Sequence, residues 1–161
     1  MKWEDHRKWA RKLSIPDQIS HYVDRTIDVP DKSNLPEEYR EGVKASAEAI
    51  QAEKGAENCN TALSLVIANE ILSHDSGRQK ATRGDLVAES QLRFLRQKGE
   101  DYVMAWYLHH HLDYLSVQIE SGENLVDLIK EYKNEYPETH SLEIEQFLIE
   151  EKNELSSDLE K

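Results

Sequence analysis

Residues 60–79, NTALSLVIANEILSHDSGRQ, hold the stretch that decides the fold class. The first half of this stretch places apolar side chains on nearly every face of a helix, which is typical of a helix at the centre of a bundle. These side chains are Leu63, Leu65, Val66, Ile67, Ala68, Ile71 and Leu72. The helix is expected to end near His74, because Gly77 can form a left-handed C-cap just beyond it. We therefore predict an all-α fold with residues 60–74 as its central helix.

The rest of the chain also has helical periodicity, and strand signals are nearly absent. Pro16 and Pro36 suit the first turns of helices, whereas Gly99 and Gly122 follow periodic segments that they are expected to end. The pattern predicts helices at residues 3–13, 16–28, 36–53, 60–74, 82–98, 100–120, 123–134 and 141–155. For a chain of 161 residues we expect a single-domain bundle of about six to eight helices.

The composition is that of a globular chain with a charged surface, since 38% of the residues are hydrophobic and 32% are charged. The net charge is −12, and the whole negative excess falls in residues 99–161. An acidic C-terminal third disfavours binding to nucleic acid, whose phosphates attract positive charge. No apolar run approaches the roughly 20 residues of a membrane span. With a charged N-terminus and one cysteine, Cys59, we expect a cytoplasmic protein that binds neither membrane nor nucleic acid.

The pair His74-Asp75 stands where the apolar helix is expected to end. One interpretation is a helix C-terminus, with His74 near the last carbonyl groups and Gly77 as the cap. The other is a metal-binding pair, because imidazole and carboxylate ligands together suit zinc, manganese and iron. A buried, unpaired carboxylate at Asp75 would be costly, so Arg78, a helix N-terminus or a metal ion must compensate its charge. The local sequence leaves both interpretations open.

Further metal-capable side chains occur in the segment YLHHHLDYL, residues 107–115. Its consecutive histidines point about 100° apart on a helix, so they cannot all face one way. His109 and His110 lie four and three residues before Asp113, which places one or both of them on the same helix face as the carboxylate. Separate helices of a bundle could bring these side chains together with His74-Asp75 in one mononuclear or dinuclear site.

The segment ILSHDSGRQ, residues 71–79, resembles the central signature of the HD-domain metal-dependent phosphohydrolases. The resemblance covers about residues 6–117 and implies an all-helical fold that holds one or two divalent metal ions. It implies that the metal ligands are His6, His74, Asp75 and Asp113, with His110 or His109 as an extra ligand, that Asp75 is also catalytic, and that Arg78 binds the substrate phosphate.

The early histidine of this ligand set has two candidates, His6 and His21. We prefer His6, because the sequence HRKWARKL that begins with it resembles the first helix of the family more closely. The family usually has lysine where this chain has Arg78, and the planar guanidinium is a good clamp for phosphate.

The resemblance therefore implies a metal-dependent phosphohydrolase, in which a metal-activated water attacks a phosphomonoester or phosphodiester, such as a nucleotide. The cofactor would be a divalent ion (manganese, zinc, iron, nickel, cobalt or magnesium), and the partner would be a small phosphorylated substrate. On this hypothesis residues 1–140 form the HD-like metal-binding domain. Residues 141–161 form an acidic C-terminal helix or tail, which we expect to lie outside the chemistry.

Two other functions stay open on the sequence. A zinc phospholipase C-like helical hydrolase would also use an early tryptophan and scattered histidines and aspartates. A non-catalytic helical adaptor is suggested by the segment SLEIEQFLIEEKNEL, which places an apolar face on an acidic helix. The residues of this face are Ile144, Phe147, Leu148 and Leu155. Such a face can dock on its own bundle, on a second copy in a homo-oligomer, or on another protein.

Overall fold

The structure is a computed structural model that describes residues 1–28, 35–54, 86–119, 124–135 and 139–160. Within these ranges the chain is all-helical, with eight helices and no strand, which confirms the predicted fold class. The helices are α1 (Trp3–Lys12), α2 (Asp17–Asp28), α3 (Glu37–Lys54), α4 (Leu86–Lys98), α5 (Glu100–Gln118), α6 (Leu125–Glu135), α7 (Thr139–Glu150) and α8 (Lys152–Leu159). The predicted central helix, residues 60–74, lies outside the described residues.

Most predicted helices agree with the observed ones to within a few residues, but the last differs. The sequence pattern predicts one helix over residues 141–155, and the structure divides this segment at Glu151 into α7 and α8. Glu151 has φ −95° and ψ 12°, and its backbone N–H still donates to the carbonyl of Phe147. No glycine or proline marks this position, and the apolar periodicity continues through it. The sequence pattern therefore does not reveal the break.

Gly99 ends α4 as the sequence predicts, and the backbone shows why glycine is suited to this position. Its φ of 141° lies in a region that a side chain disfavours, and its N–H donates to the carbonyl of Leu95 at 3.1 Å. The chain can therefore leave α4 and begin α5 at Glu100 without a longer connection.

The chain folds into two compact units, Met1–Asp24 with Asp101–Lys161, and Arg25–Glu100. In the unit Arg25–Glu100, α3 packs along α4. The rings of Tyr39 and Phe94 meet edge to face, with centroids 5.7 Å apart. A Cβ at Gly42 would overlap the Phe94 ring, so the close approach of the two helices depends on this glycine.

The unit Met1–Asp24 with Asp101–Lys161 contains α5, whose central residues are buried on all sides. The buried residues of α5 are Val103, Ala105, Trp106, Tyr107, Leu108, His109, His110, His111, Leu112, Asp113 and Leu115. A helix that is buried all round can carry polar side chains only if other buried groups satisfy them. The histidine triplet of α5 therefore needs internal partners.

The C-terminal helices belong to this same unit, and α8 contacts both α6 and α7. The predicted apolar face is buried there, with Ile144, Leu148 and Leu155 fully shielded from solvent. Phe147 meets the ring of Trp9 edge to face, with centroids 5.8 Å apart. The face therefore packs within its own unit. Among the described helices, none combines the length and the apolarity that crossing a membrane requires.

Candidate metal centre

Helix α1 presents His6 to the interior because of the spacing of its buried residues. His6, Trp9 and Ala10 are the buried residues of this helix, and they fall on one face at intervals of three and four. His6 is 2% exposed, so both of its ring nitrogens must find partners inside the unit.

Helix α2 supplies a carboxylate in the same way. Ser20, Val23, Asp24 and Ile27 lie at helical spacing and are all buried, and Asp24 is only 1% exposed. His21 falls outside this buried face and is exposed, with its ring 6.1 Å from that of Trp3. An aspartate within a buried helical face is unusual unless its charge is compensated.

Helix α5 contributes His109 and Asp113, which are four residues apart and share one face. The His109 Nε2 lies 3.4 Å from the Asp113 Oδ2. Both residues are buried, at 1% and 6% exposure. The sequence prediction that a histidine of the triplet shares a face with Asp113 is thus met by His109.

These four side chains, His6, Asp24, His109 and Asp113, form a closed ring that we call the His–Asp cluster. The Nε2 of His6 lies 3.1 Å from the Oδ1 of Asp113, and its Nδ1 lies 3.5 Å from the Oδ1 of Asp24. The Nδ1 of His109 lies 2.8 Å from the same oxygen of Asp24. The two imidazole rings are themselves in contact, with centroids 4.1 Å apart. Each ring therefore bridges the two carboxylates.

Both carboxylates of the cluster are ionised despite their burial. Burial raises the pKa of Asp24, but its interactions with His109 and His6 outweigh this effect and hold the pKa below its usual range. Burial also raises the pKa of Asp113, but its interactions with His109 and His6 again outweigh this effect and hold the pKa far below its usual range. Asp113 also accepts a hydrogen bond from the α-amino group of Met1 at 2.9 Å. Among the described residues, Asp24 has the two imidazole rings as its partners.

Three members of the cluster fit the ligand set of a metal ion. Ligand atoms of His6, Asp24 and His109 all lie within 4.8 Å of one another. Metal bonds of about 2.0–2.2 Å in a tetrahedral site place neighbouring donor atoms roughly 3.3–3.6 Å apart. The 3.5 Å separation between His6 and Asp24 agrees with this spacing, whereas the 2.8 Å separation between His109 and Asp24 is that of a hydrogen bond and would widen slightly around an ion. Two buried atoms, the His6 Nδ1 and the Asp24 Oδ2, have no hydrogen-bond partner among the described residues. These groups could hold a metal ion.

The structure brings together some of the predicted site residues. His6 and Asp113 meet although they are far apart in sequence, and His6, not His21, lies in the cluster. His110 is buried against the ring of Trp106, with centroids 4.2 Å apart, and belongs to neither of the potential ligand groups found among the described residues. The other predicted residues, His74, Asp75 and Arg78, lie outside the described residues.

Sequence reasoning missed Asp24, which is the carboxylate closest to His109. Its only signal is its position in α2, where it falls on the same helical face as Ser20, Val23 and Ile27. Without a histidine or glycine beside it, an isolated aspartate on a half-apolar helix is normally read as a surface residue.

Comparison of the chain with models of known protein families, with curated proteins and with solved structures found no match. The interpretation of the cluster therefore rests on its own geometry and chemistry.

Proposed function

We propose that this protein is a metal-dependent phosphohydrolase whose divalent ion is held by His6, Asp24 and His109. The observation that carries the proposal is the buried set of two imidazoles and one carboxylate with mutual spacing suited to a metal. Catalytic zinc sites characteristically use three protein ligands and leave a position for water or substrate, whereas structural sites use four. Two imidazoles and a carboxylate are also a ligand set that suits zinc, manganese and iron.

The residues of the cluster would have different roles in such a metal site. Asp24 supplies the negative charge that a divalent ion needs, and the two imidazoles supply neutral donors. When bound, the metal would lower the pKa of a coordinated water and so provide hydroxide near neutral pH. The sequence resemblance adds His74 and Asp75 as further ligands and Arg78 as the contact to the substrate phosphate, and these remain predictions. The proposed substrate is a small phosphomonoester or phosphodiester such as a nucleotide.

The competing hypothesis is an adaptor in which the cluster is a metal-free ion-pair network. If both rings of the cluster were protonated, all their nitrogens could donate to the two carboxylates, and the four side chains would be neutral together. The hydrogen-bonding distances within the cluster are compatible with this arrangement as well. Measurement of metal content and of hydrolysis separates the two hypotheses.

The test compares the purified protein with Asp24→Asn and with the matched control Asp101→Asn, which alters an exposed aspartate of α5. Each is loaded with manganese or zinc, analysed for bound metal, and assayed with p-nitrophenyl phosphate, bis-p-nitrophenyl phosphate and a panel of nucleotides. We expect metal binding and metal-dependent hydrolysis in the parent and the control, and neither in Asp24→Asn. If the parent binds metal but its hydrolysis does not exceed that of the chelated protein, the phosphohydrolase proposal is wrong. If it binds no metal, the adaptor hypothesis is favoured.

A further inference from the structure

Helix α1 is the shortest of the three helices that supply the proposed metal ligands. It has 10 residues, whereas α2 has 12 and α5 has 19. Its N-cap residue, Lys2, makes no side-chain hydrogen bond to the first turn. Isolated helices shorter than about 12–15 residues are marginal in water. The position of α1, and with it that of His6, therefore depends on contacts with other helices.

Those contacts include a row of ion pairs to the acidic helix α8. Glu151, Glu154 and Asp158 lie at intervals of three and four residues and share one helix face, as Lys8 and Lys12 do on α1. Lys12 pairs with Glu151 and Glu154 at 2.6 and 2.7 Å. Lys8 pairs with Glu154 at 2.6 Å and with Asp158 at 2.5 Å. Residue numbers rise along α8 as they fall along α1, so the two helices run antiparallel where they meet.

The ion pairs lie beside the apolar contact that joins α1 to the C-terminal helices. The ammonium groups of Lys8 and Lys12 lie 5.6 and 5.2 Å from the centroid of the Trp9 ring. Trp9 is fully buried and meets the ring of Phe147 edge to face. It lies on the same buried face of α1 as His6, three residues further on. The contacts that hold Trp9 therefore also set the position of His6 in the His–Asp cluster.

Asp158 makes the row of ion pairs sensitive to the loss of a lysine, because its side chain is only 3% exposed. A buried carboxylate that loses its cationic neighbour keeps a charge that burial penalises. Without Lys8, α8 would relieve this penalty by moving Asp158 toward water. Such a movement would weaken the attachment of α1.

We infer that Lys8 and Asp158 are positioning residues of the metal centre, and that their ion pair keeps α1 attached to α8 and His6 in place as a ligand. The inference rests on the metal site proposed above and concerns residues outside its ligand group. The apparent Kd of a ligand equals its intrinsic Kd divided by the fraction of protein that is competent to bind it. Detachment of α1 lowers that fraction and so raises the Kd for metal. The acidic C-terminal helix, expected from sequence to lie outside the chemistry, thereby contributes to metal affinity.

Zinc affinity tests the inference in the parent, in Lys8→Met and Lys8→Arg, and in the control Arg93→Met, which breaks the ion pair with Glu53 in the unit Arg25–Glu100. Circular dichroism establishes that each protein is folded. We expect the zinc Kd of Lys8→Met to be weaker by about 5-fold or more, the lower end of ordinary coupling between sites. Lys8→Arg keeps the positive charge and should bind zinc like the parent, as should Arg93→Met. If Lys8→Met does not fold, Asp158→Asn removes the same ion pair and should show the same loss.

The outcomes separate the inference from the proposed function. An unchanged Kd in the variant that lacks the ion pair would overturn the inference and leave the proposed function in place. The same loss of affinity in Lys8→Arg or in Arg93→Met would also overturn it, because the effect would not depend on the charge of Lys8. An absence of zinc binding in the parent would overturn the proposed function and the inference together.

Thermodynamic linkage distinguishes positioning from general destabilisation. If attachment of α8 to α1 strengthens zinc binding, zinc must strengthen that attachment by the same factor. Hydrogen exchange of the α8 backbone amides, measured by mass spectrometry, reports on the attachment. We expect saturating zinc to slow this exchange in the parent by about the factor that Lys8→Met loses in Kd, and to have much less effect in Lys8→Met. Equal effects of zinc on α8 in both proteins, or none in either, would overturn the inference.

Discussion

The three consecutive histidines of α5 are all buried, yet each has a different environment. His109 joins the His–Asp cluster, and His110 lies against Trp106. His111 packs on the ring of Tyr132, with centroids 4.3 Å apart, and hydrogen-bonds to the backbone of Ile129. Successive helical positions are about 100° apart, so the three rings point in different directions, although those of His109 and His110 still meet edge to face with centroids 5.5 Å apart. All three residues are histidines, so only its position relative to Asp113 distinguishes His109, the proposed ligand, from His110 and His111.

His111 is predicted to make the protein sensitive to acid. Burial lowers its pKa from 6.5 to about 3, an effect that the hydrogen bond to Ile129 only partly offsets. Between these values the unfolded chain binds a proton that the folded protein does not, so stability is complete above pH 6.5 and falls as the pH drops toward 3. In this window the free energy of unfolding changes by up to about 1.4 kcal/mol per pH unit. The free energy of unfolding of His111→Phe should depend less steeply on pH than that of the parent.

A control in the same aromatic cluster separates this effect from simple destabilisation. Tyr132→Phe keeps the imidazole of His111 buried and should therefore retain the pH dependence of the parent, even if its stability is lower. Denaturant unfolding at several pH values between 6.5 and 3.5 measures the slopes of all three proteins. Identical slopes in the parent and in His111→Phe would show that His111 does not titrate as its burial requires.

Helix α1, which carries His6, is attached to the acidic C-terminal helices. The Nζ of Lys8 lies 2.6 Å from a carboxylate oxygen of Glu154 and 2.5 Å from one of Asp158. Lys12 contacts Glu151 and Glu154 at 2.6 and 2.7 Å. The negative excess of the C-terminal third thus has basic partners on the first helix. Charge counting alone could not reveal this, because it gives no information on which helices are neighbours.

Of these two lysines, Lys8 is predicted to matter more for the stability of α1. The side chain of Asp158 is 3% exposed, whereas those of Glu151 and Glu154 are 38% and 42% exposed. Loss of a cation beside a buried carboxylate is more damaging than loss of one at the surface, where water and salt screen the charges. We expect Lys8→Met to lower Tm clearly more than the matched variant Lys12→Met, as measured by circular dichroism. Equal changes in Tm would mean that the ion pairs of Lys8 stabilise the protein no more than the surface ion pairs of Lys12 do.

Some features of the fold and the site of this chain could be predicted from its sequence, and others could not. Apolar periodicity and the positions of proline and glycine located the helices, because these signals are local. The meeting of His6 with Asp113 was predicted through a family resemblance, whereas Asp24 was missed. A buried aspartate has no local signature when its partners come from other helices, and the pairing of helices is not encoded in the period of any one of them. The break at Glu151 was missed because no glycine or proline marks it in the sequence.

Bound metal is expected to stabilise the entire folded protein. An ion that binds only the folded chain should raise its free energy of unfolding by about 2.7 kcal/mol at 100-fold excess over Kd. We expect zinc to raise the Tm of the parent and a chelator to reverse the effect, whereas Asp24→Asn should melt at the same temperature with or without zinc. Asp75→Asn is measured beside it, because the two interpretations of His74-Asp75 predict opposite results. A helix C-terminus leaves the zinc effect intact, and a ligand pair removes it. If chelator leaves the melting curve of the parent unmoved, the His–Asp cluster is an ion-pair network without metal, and Asp24→Asn should then melt below the parent because it removes a buried charge that the two imidazoles contact.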